Sequence, residues 1–162
     1  VGGGALLRAV ARDAFGERVA VDAERGGRAR KMLLVAGERV LDLGCGAGTD
    51  SLVAAQMVGP EGGVVGIDMT SAMLARARRA ATELGVQNVE LVEGQVESLP
   101  FPDESFDVVI SNGVIDLVPD KDAVYSEIYR VLVPGGRVQI ADVTIENPVS
   151  AEGRRNIDLW TG

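Results

Sequence analysis

Two stretches of this 162-residue chain combine residue types and spacing suited to holding a ligand. Residues 40–50 read VLDLGCGAGTD, an apolar run followed by glycine at every second position from Gly44 to Gly48. Glycines there let the backbone turn sharply and approach a ligand with no Cβ in the way. A helix starting near Thr49 or Asp50 turns its free amides toward the same ligand. Twenty-six residues after Asp42, residues 64–70 read VVGIDMT and place Asp68 at the end of a second apolar run. A carboxylate so placed can accept from a ribose diol. The chain has no histidine, which removes the commonest general base and the commonest metal ligand together. No acid-rich cluster with metal-ligand spacing replaces it, so no metal is expected.

These residues must be held by a framework, and its pattern is regular from Arg39 onward. Strands are expected near 39–43, 63–67, 88–92, 106–110 and 137–144, with helices near 50–58, 71–84 and 121–132 between them. Gly59-Pro60 stops the first helix. Thr70 or Ser71 caps the second, whose Met73, Ala77, Ala80 and Leu84 share one face before Gly85 closes it. Asp120 can cap the third, which buries Val124, Ile128 and Val131 or Leu132. Pro134-Gly135-Gly136 reads as a tight turn into the last strand. Alternation at this spacing indicates an α/β fold, a doubly wound and mainly parallel sheet with helices on both faces. Ahead of it, residues 5–15 carry Leu6, Leu7, Val10 and Ala14 at helical spacing. Residues 24–31 form a basic segment around Gly26-Gly27, either a flap over a site or a solvated linker.

Composition bounds the function. With 46% hydrophobic residues one domain with a sizeable core is expected. No apolar run approaches the ~18 residues of a membrane helix. A single cysteine permits no intramolecular disulfide, as suits a reducing, cytoplasmic setting. The net charge is −8; residues 1–31 carry seven basic against four acidic side chains, +3, which leaves −11 for the rest. Nucleic acid asks for a broad basic face, so a small-molecule partner is expected, with neither nucleic acid nor membrane involved.

In a sheet of this kind ligands bind beyond the carboxyl ends of the strands, where strand order reverses. That rule gathers five loops on one edge: residues 44–49, 68–70, 93–97, 111–117 and 141–143. The segments VLDLGCGAG, VVGIDMT, VEGQVESLPFPDESFDVVISN and VLVPGGRV, in this order and spacing, resemble the class I S-adenosylmethionine-dependent methyltransferases over residues 35–145. The resemblance implies a Rossmann-like fold with S-adenosyl-L-methionine as cofactor, residues 32–162 forming the binding domain and residues 1–31 an N-terminal helix and flap. It implies that Gly44, Gly46 and Gly48 pass close to the methionine part of the cofactor, with Asp42 steadying the loop. Asp68 would accept from both ribose hydroxyls and Met69 would pack on an adenine face. Gln95 and the Val96 amide would read the adenine edge, and Ser111 and Asn112 would face the reactive methyl. Class I enzymes commonly add a helix and antiparallel strands after the fifth strand. Residues 147–162 supply at most the start of that helix, so either the chain is truncated or the sheet is abbreviated, and the fifth strand is expected to be an unpaired edge.

Residues 59–70 (GPEGGVVGIDMT), the SNGVIDLVPDK segment and the closing NIDLWTG are also similar to the arsenite methyltransferase branch. That branch holds trivalent arsenic through several thiolates, a soft-ligand arrangement. This chain has Gly113 where one such cysteine would follow the SN pair, and its sole thiol, Cys45, lies in the glycine loop. The implied activity is therefore methyl transfer to a small-molecule acceptor without the arsenic-binding cysteines, by direct displacement on the methyl carbon. The protein's part is holding two reactants in line. A hydroxyl acceptor would need a carboxylate base, for which Asp116 and Asp142 are the candidates. Two other readings compete. A nicotinamide-dependent oxidoreductase would want glycine at Thr49 to complete G-x-G-x-x-G, and a non-catalytic module would bind cofactor or protein without turnover.

Overall fold

The computed structural model of the chain describes residues 20–22 and 34–142. Six strands form one sheet: β1 (Ala20–Asp22), β2 (Arg39–Leu43), β3 (Gly63–Asp68), β4 (Val89–Glu93), β5 (Phe106–Asn112) and β6 (Leu132–Ala141). Three helices connect them: α1 (Thr49–Val58), α2 (Ser71–Leu84) and α3 (Lys121–Val131), with a 3-10 turn at Ile115–Leu117. Strand order is β1-β6-β5-β2-β3-β4 and every pairing is parallel. From β2 the chain winds outward through β3 to β4, returns to pair β5 with β2, and winds out the other way to β6. The doubly wound parallel sheet expected from the sequence is thus present, and its order reverses between β2 and β5. The expected helix at 5–15, the segment 24–31 and residues 147–162, Trp160 included, lie outside the described residues.

The two faces of the sheet are sorted by residue parity. Val40, Val64, Val108 and Ile110 point to one face, where they pack with Ala54, Ala55 and Val58 of α1. Leu41, Leu43, Ile67, Val109 and Val138 point to the other, against Val124, Ile128 and Val131 of α3. The start of α1 lies against α2, since a Cβ on Gly48 would meet Ala77. Two Rossmann-type layers therefore enclose the sheet, and apolar burial on both faces explains why the strands read as near-continuous apolar runs.

Four details differ from the sequence reading. The last strand starts at Leu132 rather than 137. Leu132 pairs with Phe106 and Arg137 with Val108, so the Pro-Gly-Gly stretch is an irregularity inside β6 that bulges out of the ladder instead of a turn before it. The buried face of α2 is Leu74, Ala77 and Ala81, a small rotation from the expected one, and Leu84 is exposed where the helix ends at Gly85. Thr70 is the residue preceding α2, but its hydroxyl makes no cap; Asp120 does cap α3, accepting from the Ala123 amide at 3.0 Å. β6 is not an unpaired edge, because Ala20–Asp22 line up beside Arg137, Val138 and Gln139.

Candidate functional site

The glycine loop leaves β2 at the point of strand-order reversal. Gly44, Gly46 and Gly48 all have positive φ, at 65°, 53° and 86°, a region that residues with a Cβ occupy only with strain. Gly44 is packed directly beneath the Val114 side chain, and Gly48 beneath Ala77. Gly46 differs, because a Cβ there would meet nothing nearer than Met73 Cε at 3.8 Å. The loop is thus wedged in place by its outer glycines, and its middle glycine borders free space.

Asp68 closes the other side of that space. One carboxylate oxygen accepts from the Gly46 amide at 2.9 Å, the other from the Thr70 amide at 2.8 Å. Each oxygen keeps lone-pair capacity for a further donor, so the carboxylate is oriented before any ligand arrives. Met69, next in sequence, is 73% exposed, an uncovered apolar side chain at the rim. Gln95 is exposed on the loop after β4, whereas Val96 is buried in the core on the α3 face.

Asp42 lies away from this space. It is 2% exposed and accepts from Ser51 Oγ at 2.5 Å, so it fastens the first turn of α1 rather than the loop. Burial pushes its carboxyl up to about 7, with Ser51 opposing and the nearby Asp50 and Asp68 charges adding to the rise. The loop is instead steadied by its backbone, through Cys45 N–H to Ile67 O and Gly48 N–H to Cys45 O, and by Asp68. Cys45 is buried, and loss of solvent together with the Asp42 and Asp68 charges pushes its thiol up to about 12. It is an inert packing residue.

Ser111 and Asn112, read as a pair from the sequence, point to opposite faces. Asn112 Nδ2 donates to Asp50 Oδ2 at 3.0 Å, tying the end of β5 to the first turn of α1. Ser111 is in register with Leu43 and Ile140 and shares their face, toward α3. The two acidic candidates also belong to that side. Asp116 is exposed on the 3-10 turn; Asp142, just beyond β6, is half-buried, and the Val114 and Ile115 amides favour its charged form. Loss of solvent raises its carboxyl above the usual range, and the Asp116 charge adds to the rise.

Several contributors carried little sequence signal. Ser51, Asp50 and Val114 act only through partners distant in the chain. Gly66 is one such case, since a Cβ there would strike Ser51 Oγ and Cys45 at 2.8–2.9 Å. Arg130 bonds Glu127, Asp103 and the Leu99 and Phe101 carbonyls, pinning the loop before β5 to α3.

Known proteins resemble this chain over most of its length. Residues 34–160 match the family model described as "Methyltransferase domain". An arsenite methyltransferase of Halobacterium salinarum is 48% identical over 126 residues, which cover 78% of this chain and 32% of that protein. A demethylmenaquinone methyltransferase of Listeria monocytogenes is 43% identical over 111 residues, 68% of this chain and 47% of the relative. Among solved structures, an arsenic(III) S-adenosylmethionine methyltransferase of Chlamydomonas reinhardtii superposes with a TM-score of 0.70 at 44% identity, covering 77% of this chain and 45% of that one. The chain spans less than half the length of each of these relatives. With the family model covering nearly all of the described residues, and with a glycine loop and acid-ended strand on a doubly wound parallel sheet, the chain belongs to the methyltransferase-domain family of S-adenosylmethionine-dependent, Rossmann-like proteins.

Proposed function

We propose that this chain binds S-adenosyl-L-methionine on the α1–α2 side of the carboxyl edge and transfers its methyl group to a small-molecule acceptor. The observation that carries the reading is Asp68, whose two carboxylate oxygens are already set by the Gly46 and Thr70 amides beside the free space at Gly46. The cofactor fits these residues. Free space at Gly46 suits the methionine part, the doubly oriented carboxylate suits a ribose diol, and exposed Met69 suits an adenine face. Gln95 and the Val96 amide would meet the adenine edge, and Asn112, fixed by Asp50, would close the switch-point end. When bound, the cofactor supplies a methyl group activated by a sulfonium. The chain's own contribution is orientation, since alignment of two reactants is what such a displacement needs most.

A small acceptor agrees with the net charge of −8 and with relatives named for arsenite and for demethylmenaquinone. Arsenite held by thiolates does not suit these 162 residues, which contain only the buried, inert Cys45. Of the two acidic candidates, Asp142 is the better placed to meet an acceptor, being half-buried where Asp116 is exposed.

Calorimetric titration of S-adenosylhomocysteine into the chain and into Asp68→Ala tests the reading. One-site binding by the parent, weakened roughly tenfold or more by the substitution, is expected, equivalent to a charge-assisted hydrogen bond of about 1.4 kcal/mol or more. A folded parent with no heat of binding would overturn it.

A further inference from the structure

Among the described residues, two buried side-chain oxygens have no hydrogen-bond partner: Ser111 Oγ and Asp142 Oδ1. Buried polar atoms are nearly always partnered, because an unmatched one costs the full loss of its hydration. Two such atoms at separate places would be unrelated oddities. Here both lie at the same edge of the sheet, at the ends of paired strands. Ser111 pairs in register with Ile140, side chains of registered parallel residues share a face, and Asp142 lies two residues beyond Ile140. Both therefore belong to the α3 face at the carboxyl edge, Ser111 on β5 and Asp142 just past the end of β6.

Their setting is also shared. The Val114 and Ile115 amides lie close enough to favour the charged Asp142 carboxylate, yet Oδ1 has no hydrogen-bond partner. Asp142 and Asp116 both act electrostatically on the half-buried Tyr125 of α3. Lys121 favours the charged Asp142 only through space, because its Nζ donates to the Asp116 and Val118 carbonyls. Ser111 is 3% exposed, so no bulk water completes its hydroxyl.

We infer that Ser111 and Asp142 form the polar end of the acceptor pocket and position an acceptor that presents an O–H group, donating to Asp142 Oδ1 and meeting the Ser111 hydroxyl. The inference rests on the proposed methyl-transfer reading and adds a substrate class to it. A buried carboxylate oxygen without a partner calls for a donor. A hydroxyl can accept from Ser111 while donating to Asp142, whereas an ether can only accept. Both residues are positioning residues, and no chemical step is assigned to them.

Two measurements test this. The first needs no ligand: thermal unfolding of the parent and of Ser111→Ala. Removing an unmatched buried hydroxyl should raise the melting temperature, by about 2 °C; a fall would mean that the hydroxyl is satisfied and would overturn the inference. The second uses the nitrogen-labelled chain saturated with S-adenosylhomocysteine, titrated with phenol and with anisole and read at the Asn112, Val114 and Ile115 amides. Phenol should shift these amides at concentrations about fivefold or more below those anisole requires. Ser111→Ala and Asp142→Asn should erase that preference while changing S-adenosylhomocysteine affinity less than about twofold. Equal response to the two probes, or none to phenol, would overturn the inference. The melting comparison still decides for or against the open pair even where S-adenosylhomocysteine fails to bind and the cofactor reading falls.

Discussion

On the α1–α2 face of the carboxyl edge, the polar side chains hold one another before any ligand is present. Asp42 is closed by Ser51, Asp68 by two loop amides, Glu93 by Ser71 Oγ, and Asn112 by Asp50. One strand step away on the α3 face, Ser111 and Asp142 keep buried oxygens unmatched. The same strand, β5, supplies both arrangements, with Asn112 on one face and Ser111 on the other. A face that recognises one fixed cofactor gains from being set in advance, because less freedom is lost on binding. A face that leaves oxygens open retains a cost that only an incoming group can relieve.

The glycines offer the sharpest way to break this comparison. Gly44 and Gly113 have nearly equal positive φ, 65° and 68°, so alanine costs each about 1–2 kcal/mol in backbone strain. Gly44 is packed under Val114, whereas a Cβ on Gly113 would meet nothing within 4 Å. Gly44→Ala should therefore lose a further ~1–3 kcal/mol to overpacking, together with S-adenosylhomocysteine binding. Gly113→Ala should lose the strain alone and keep binding. Urea unfolding beside calorimetry reads both, and equal losses in the two variants would mean that the loop is not wedged as described.

A pH profile sharpens the comparison by a middle amount. Burial pushes the Asp42 carboxyl up to about 7 in the folded chain, against 3.8 for a free aspartate. Between about pH 4 and 7 the folded chain keeps a proton that the unfolded chain has released, so stability falls as pH rises through that window. The slope approaches about 1.4 kcal/mol per pH unit where this group alone differs. Asp42→Asn still offers an oxygen to Ser51 and should flatten the profile there. An unchanged slope would show that the closed Asp42–Ser51 pair is not what titrates.

How much of this was legible in the sequence follows from the range of each interaction. The glycine loop, Asp68 and the strand–helix alternation are local patterns, and their places in the fold match. Asp42 was legible as important, but its partner was not, because Ser51 becomes its neighbour only once α1 folds back on the sheet. Asn88 shows the same limit: its Nδ2 donates to the Ala55 and Gly59 carbonyls at the end of α1, about thirty residues earlier. The split of Ser111 from Asn112 was implicit in strand alternation, yet which face was which depended on where the helices pack. The cover over β6 came from Ala20–Asp22, three residues too short to carry a strand signal.

The smallest effect expected is at Asp50 and Asn112, and it separates a preformed face from one that forms on binding. The bond is exposed, so a double-mutant cycle with Asp50→Ala and Asn112→Ala should give a coupling of only about 0.5–1 kcal/mol in unfolding free energy. Its size matters less than its dependence on ligand. If the α1–α2 face is set in advance, the bond exists before the cofactor arrives, and the coupling should be equal with and without saturating S-adenosylhomocysteine. Coupling that appears only with the ligand would place the ordering of α1 against β5 in the binding step. The contrast with the α3 face would then be one of timing rather than of design, since both faces would need a ligand to complete them.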